Sequence, residues 1–266
     1  MGPTDYSRSR GPGRCTVSDA TPPLAPAFYA RNPRRGAWGD WWVLLHPPYT
    51  LWHLSYVAIG ATLAPTFDGV RLVATLLAFA LAVGVCAHAL DELHDRPLRT
   101  RLPAWQLVTA SIMSLTGAVA LGIAGIGRVG PGLLLFIGVG AGLTCGYNLE
   151  LLGGRLHNDV TFAAAWGAFP VLTAYYAQAQ RLGWPALSAA AGAYSLSNAQ
   201  RALSTPARTL RRRTASVDGH IVLLDGEQHP IDTALLLAPL ETALKAMTGA
   251  IVAVAVALVV ARVQHG

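Results

Sequence analysis

From Val70 to Leu90 the chain is apolar but for Arg71, Thr75 and His88, and it then breaks into the charged stretch Asp91-Glu92-Leu93-His94-Asp95-Arg96. A helix needs about 20 apolar residues to cross the hydrocarbon of a bilayer. This run has that length, and it is not alone. Similar stretches cover about Tyr49 to Pro65, Trp105 to Ile126, Pro131 to Tyr147, Val160 to Gln178 and Trp184 to Leu203. The last, Thr233 to Val263, is too long for one untilted span and is either one long helix or two pieces broken near Met247-Thr248-Gly249. The pattern predicts an all-α polytopic bundle of seven or eight transmembrane helices.

Composition agrees. The 266 residues are 53% hydrophobic and 13% charged, about half the ~25% charged residues of a soluble domain. The net charge of +6 therefore points to no nucleic acid, because arginines in such a chain mark the cytoplasmic side. Residues 1–40 are rich in Pro, Arg, Gly and Ser and read as a disordered cytoplasmic arm; residues 41–266 form one membrane domain, with 204–232 a cytoplasmic loop. Within that loop, two Asp-Gly signals around Val217 to Gly226 predict a small hairpin. With Arg31, Arg34 and Arg35 inside, the loops after spans two, four and six are inside too. They hold Arg96, Arg99, Arg101, Arg155, Arg201, Arg208 and Arg211 to Arg213, whereas the opposite loops carry Arg71, Arg128 and Arg181. The expected location is the cell membrane, multi-pass, with the polar clusters on the cytoplasmic face. Cys15, Cys86 and Cys145 have no paired spacing and predict neither a disulfide framework nor a zinc site.

Three polar clusters carry the candidate chemistry. Asp91 and Asp95 are four apart, so a helix puts both carboxylates on one face with His88 three residues earlier. Paired carboxylates suit Mg²⁺, which takes one or two from protein and completes its shell with water and substrate phosphate. Tyr147, Asn148 and Glu150 with Arg155, His157 and Asp159 form the second cluster, in which Arg155 can hold a phosphate oxygen and Glu150 or Asp159 can orient a cation or a hydroxyl. Asn198, Gln200 and Arg201 form the third, inside an apolar span where polar groups must face the bundle interior. Arg201 with Arg208 makes a diphosphate clamp, because guanidinium forks grip phosphate oxygens in pairs. Glu241 and Lys245, four apart, are expected to pair on their own helix.

These residues together resemble the UbiA superfamily of intramembrane prenyltransferases. The matching pieces are His46-Pro47-Pro48-Tyr49-Thr50, Asp91-x-x-x-Asp95-Arg96 with Thr100-Arg101-Leu102-Pro103, Tyr147 with Arg155, and Gly167 with Pro170 and Tyr175-Tyr176. The likeness covers about Trp41 to Arg208. It implies a bundle of nine membrane helices around a central cavity, so that seven to nine are expected in all, which binds an isoprenoid diphosphate through Mg²⁺ and moves the prenyl group to a lipid-soluble acceptor. Ala87 and His88 stand where the family's first motif has Asn and Asp, and Val160 to Val217 contains no Asp or Glu, so the second acidic motif is missing. The resemblance thus implies Mg²⁺ at Asp91 and Asp95; with the second acidic motif missing, the diphosphate is expected at Arg155, Arg201, Arg208, Asn198 and Tyr147, arginine gripping phosphate directly in place of a magnesium-carboxylate unit. His88, Glu92 or Asp159 would receive the acceptor's proton. A UbiA-like terpene cyclase and a non-catalytic isoprenoid- or lipid-binding membrane protein are the alternatives.

Overall fold

The computed structural model describes residues 36–265; most of the expected N-terminal arm, with Cys15, Arg31, Arg34 and Arg35, lies outside them. Among the described residues the chain forms eight helices. They are α1 (Ala37–Leu44), α2 (Pro47–Thr62), α3 (Gly69–Asp95), α4 (Ala104–Val129), α5 (Leu133–Asn148), α6 (Asp159–Ala179), α7 (Trp184–Arg212) and α8 (Thr233–His265). Residues 37–40 of the expected arm already belong to α1, where buried Asp40 accepts a 3.0 Å hydrogen bond from the Arg101 amide.

Side-chain contacts fix how α2 to α8 run. At one end His46 meets His88, Arg201 meets Asp159, and Arg211 meets Glu241. At the other, Arg71 donates to the Ala177, Gln178 and Arg128 carbonyls, and Arg262 donates to those of Thr62 and Ala64. Successive helices therefore alternate direction between two ends. Four of them, α3, α4, α6 and α8, are long and apolar enough to cross a membrane, the mark of an integral membrane protein. That is fewer than the seven to nine expected. The reason is physical: α2 and α5 have 16 residues each, about 24 Å at 1.5 Å per residue, and α7 spends its length on Ser, Asn, Gln and Arg.

The interior is filled by α2. Trp52, Tyr56, Val57 and Ala61 are almost wholly buried, and Gly60 lies so close to α6 that a Cβ there would come 2.3 Å from the Val171 carbonyl oxygen. Small residues allow such close approach. Two helices carry wide π turns, Ala80–Ala87 in α3 and Ala164–Ala168 in α6, features that often mark functional sites. The first leads directly into His88 and Asp91; the second contains Trp166.

Two other expectations are resolved. α7 continues through Pro206 to Arg212, so Arg208, Arg211 and Arg212 stand on a helix and not in a loop. α8 runs unbroken through Gly249, which leaves the single long helix. The hairpin is present: His220–Val222 pairs antiparallel with Gln228–Pro230 around a turn where Gly226 has φ 87°.

Candidate functional site

α2 enters the bundle through His46, whose backbone is left-handed (φ 43°) immediately before Pro47. Non-glycine residues with positive φ cluster at this end of the bundle: His46, Arg96, Arg99, Glu150 and Leu152. Such strain persists only where surrounding contacts enforce it, and it is common at active sites. From His46 the polar side chains Tyr49, His53 and Tyr56 follow at helical spacing, one row down α2. The His46 ring stacks on His88 at 5.2 Å, and the Tyr49 hydroxyl faces Ser204 of α7. Burial, with His88, Arg212 and Arg208 close by, holds the His46 imidazole well below its ordinary pKa. His88 is fixed through Nδ1, 3.1 Å from the Gly84 carbonyl that it donates to.

Asp91 is exposed at this end, and the basic side chains acting on it most are His88, Arg208 and His157. Asp91 thus lies within electrostatic reach of both His88 on its own helix and Arg208 on α7. Asp95 closes α3 one turn later and is also exposed. Glu92 does something else. It is fully buried and accepts hydrogen bonds from the Leu98 amide (3.0 Å), the Thr100 amide (2.8 Å) and the Thr100 hydroxyl (2.8 Å). Its expected role as proton acceptor gives way to a structural one, because both oxygens are committed to the loop after α3.

Beneath Asp91 lies a nest of rings. Tyr147 stacks on His157 at 4.5 Å and meets Phe162 at 6.2 Å and Trp166 edge-on at 5.9 Å. Arg201 sits over Phe162, 5.0 Å from the ring centre, and donates a 2.8 Å hydrogen bond to Asp159. Arg201, Asp91, Arg208 and Asp159 are the charges felt most at the Tyr147 hydroxyl. Among the described residues that buried hydroxyl has no hydrogen-bond partner, nor has the buried Gln200 side-chain carbonyl. Glu150 joins the ends of α3 and α5, 3.6 Å from His94 and 3.7 Å from His157.

Some predicted residues stand aside. Arg155 is exposed, and what is engaged is its carbonyl, which accepts from the Asn158 amide. Asn198 is half-buried on α7, while its neighbours Ser197 and Gln200 turn fully inward. Glu241 pairs with Arg211 and not with Lys245.

His53 was missed by motif reasoning. It is buried, its Nδ1 lies 2.8 Å from the Trp166 carbonyl, and its ring faces Phe162 at 6.4 Å and Trp166 at 6.3 Å. The signal was available as the spacing of His46, Tyr49, His53 and Tyr56, because an ionisable residue in an apolar span is a functional candidate in its own right.

Among the described residues no three of His, Cys, Asp and Glu converge on a metal position. Two exposed carboxylates one turn apart still fit Mg²⁺, provided water and a diphosphate supply the other oxygens. A cavity of about 150 Å³ opens between α3, α4, α5 and α6, with no residue of α2 in its wall. Its walls are apolar, Arg71 and Arg128 mark one end, and Ala165 and Trp166 mark the other. None of the charged site residues lines it; Trp166 alone connects it to the ring nest. No protein-family model, curated protein or solved structure matches this chain.

Proposed function

We propose that this protein is a UbiA-like intramembrane transferase that takes a prenyl diphosphate and passes the prenyl group to a lipid-soluble acceptor. The observation that carries the reading is the layering at one end of the bundle. Asp91, Arg208, His88 and His157 form a charged layer, and Tyr147, Phe162 and Trp166 form an aromatic layer beneath it, with Arg201 between. A prenyl diphosphate has the same two-part character.

Arg208 and Arg201 would bind the diphosphate oxygens, since a guanidinium offers a planar pair of donors to such a group. Asp91 and Asp95 would hold Mg²⁺, which when bound neutralises negative charge on the departing diphosphate. The faces of Tyr147, Phe162 and Trp166 favour positive charge on the allylic carbon and exclude the water that would quench it. The apolar groove ending at Trp166 supplies a path for the chain. Mg²⁺, a prenyl diphosphate and a lipophilic acceptor are thus the proposed ligands, and the membrane face bearing this layer is the proposed cytoplasmic one.

The test is release of diphosphate from radiolabelled geranylgeranyl diphosphate by purified protein in nanodiscs, with and without Mg²⁺, for wild type and Asp91→Ala. Mg²⁺-dependent release that disappears in the variant supports the reading. Binding without release would instead identify an isoprenoid-binding protein.

A further inference from the structure

We infer that His53 is the base that receives the proton lost when the prenyl cation is captured, an assignment that rests on the transferase reading above. The argument starts with a tautomer. The Trp166 carbonyl oxygen can only accept, so the 2.8 Å contact requires a hydrogen on His53 Nδ1. The neutral ring then carries its lone pair on Nε2. Nε2 has no hydrogen-bond partner among the described residues, and it is not sealed off as the Tyr147 hydroxyl and the Gln200 carbonyl are. A lone pair with no protein donor, held inside an apolar bundle, is poised for a donor that arrives with a ligand.

Its position fits that role. His53 lies two turns beyond His46 along α2, about 10 Å deeper at 1.5 Å per residue. That is the level of Phe162 and Trp166, beneath the charged layer. Phe162 lies between His53 and the Arg201 guanidinium that stacks on its ring. Diphosphate oxygens would be bound above, whereas carbon chemistry would take place beside His53. His88 likewise donates Nδ1–H to a backbone carbonyl, that of Gly84, but it stands in the charged layer with its ring stacked on His46, away from the level of Phe162 and Trp166.

The step balances as follows. The allylic C–O bond breaks and its electron pair leaves on diphosphate. A π bond of the acceptor supplies two electrons for the new bond to the prenyl carbon. The hydrogen displaced from the acceptor atom passes as a proton to Nε2, and the imidazolium keeps its Nδ1–H on the Trp166 carbonyl. When no acceptor is present, the same lone pair takes a proton from the carbon next to the cation. The electrons of that C–H bond then form a carbon–carbon double bond, and the product is a hydrocarbon.

This gives a test that needs no knowledge of the acceptor. Wild type and His53→Gln in nanodiscs are given radiolabelled farnesyl diphosphate and Mg²⁺, and the ratio of prenyl hydrocarbon to farnesol is measured among the products. The ratio is independent of turnover rate. Loss of a general base should lower it by about 10²-fold; an unchanged ratio would overturn the assignment. If the wild type releases no diphosphate, the transferase reading fails and the assignment fails with it. Should His53→Gln not fold, the ¹⁵N spectrum of histidine-labelled wild type decides. An unprotonated Nε2 on His53 supports the proposal, and a proton there overturns it.

Discussion

Asp159 and Arg201, at the start of α6 and deep in α7, hold each other through a 2.8 Å hydrogen bond. The pair is lopsided: the Asp159 side chain is 69% exposed and that of Arg201 18%. The sequence reading gave the first to acid–base work and the second to diphosphate, yet in the resting fold each occupies the other. Asp159 thus acts as a stand-in anion that a diphosphate would have to displace.

Asp159→Asn should therefore tighten the binding of inorganic pyrophosphate, and Arg201→Ala should weaken it. With the Asp159 carboxylate in solvent, the pair is worth about 0.2–1 kcal/mol, so the gain is at most about fivefold. Titration calorimetry on protein in nanodiscs reads both. An Asp159→Asn affinity equal to the wild type would mean that Arg201 does not reach the anion.

Glu92 and Asp91 are adjacent carboxylates with opposite duties. Glu92→Ala would leave the Leu98 and Thr100 donors unpaired in a buried loop, at roughly 1–3 kcal/mol for each unsatisfied group. A clear fall in thermal stability is expected, with the Pro97 to Pro103 loop losing its order. Asp91 is exposed, so Asp91→Ala should melt within a degree or two of wild type while losing the Mg²⁺-dependent part of its pyrophosphate affinity. Equal stability loss in both variants would refute this division.

The Arg211–Glu241 pair joins α7 to α8, with side chains only 8% and 14% exposed and a second contact of 2.7 Å from Nη2 to Oε2. Removing one partner from a buried pair leaves an uncompensated charge, typically at about 3–5 kcal/mol. Glu241→Ala should lower the melting temperature sharply in detergent and detach α8 from the end of α7. Lys245→Ala, the partner expected from sequence spacing, should change stability by no more than about 0.5 kcal/mol.

The apolar runs made the helices legible, and counting the reversals of the chain puts the ends that carry His88, Asp91 and Tyr147 on the same side. The runs Tyr49 to Pro65 and Pro131 to Tyr147 already had the short lengths of α2 and α5, but hydropathy alone counted them as spans, because it does not show that residues such as Trp52 and Tyr56 are apolar for the sake of the core and not of lipid. The π turns at Ala80–Ala87 and Ala164–Ala168 have no sequence signature, although they set how His88 and Trp166 are aimed. Local spacing also misled over Glu241. Lys245 is four residues away, but the buried guanidinium of Arg211 on another helix offers a fork with two donors. Glu92 looked like one more acid in a charged run, and only the path of the following loop shows that its oxygens are committed.

Gly167 is the test of how tightly the second π turn is held. A Cβ there would lie 2.6 Å from both the Ala193 carbonyl oxygen and the Ser197 hydroxyl of α7. The first is backbone and cannot swing away, so Gly167→Ala must push α6 from α7, with an overpacking cost of about 1–3 kcal/mol. The displacement acts on Trp166, the preceding residue, whose carbonyl anchors His53 and whose ring meets Tyr147. Lower thermal stability should therefore come with a shift in tryptophan emission and a changed ¹⁵N signal for His53. Gly249 is the control. Nothing lies within 4 Å of a Cβ at that position, and alanine in a helix interior is favoured over glycine by about 1 kcal/mol. Gly249→Ala should match or exceed wild-type stability and leave both spectra unchanged. A Gly167→Ala variant indistinguishable from it would show that α6 and α7 do not approach as closely as described.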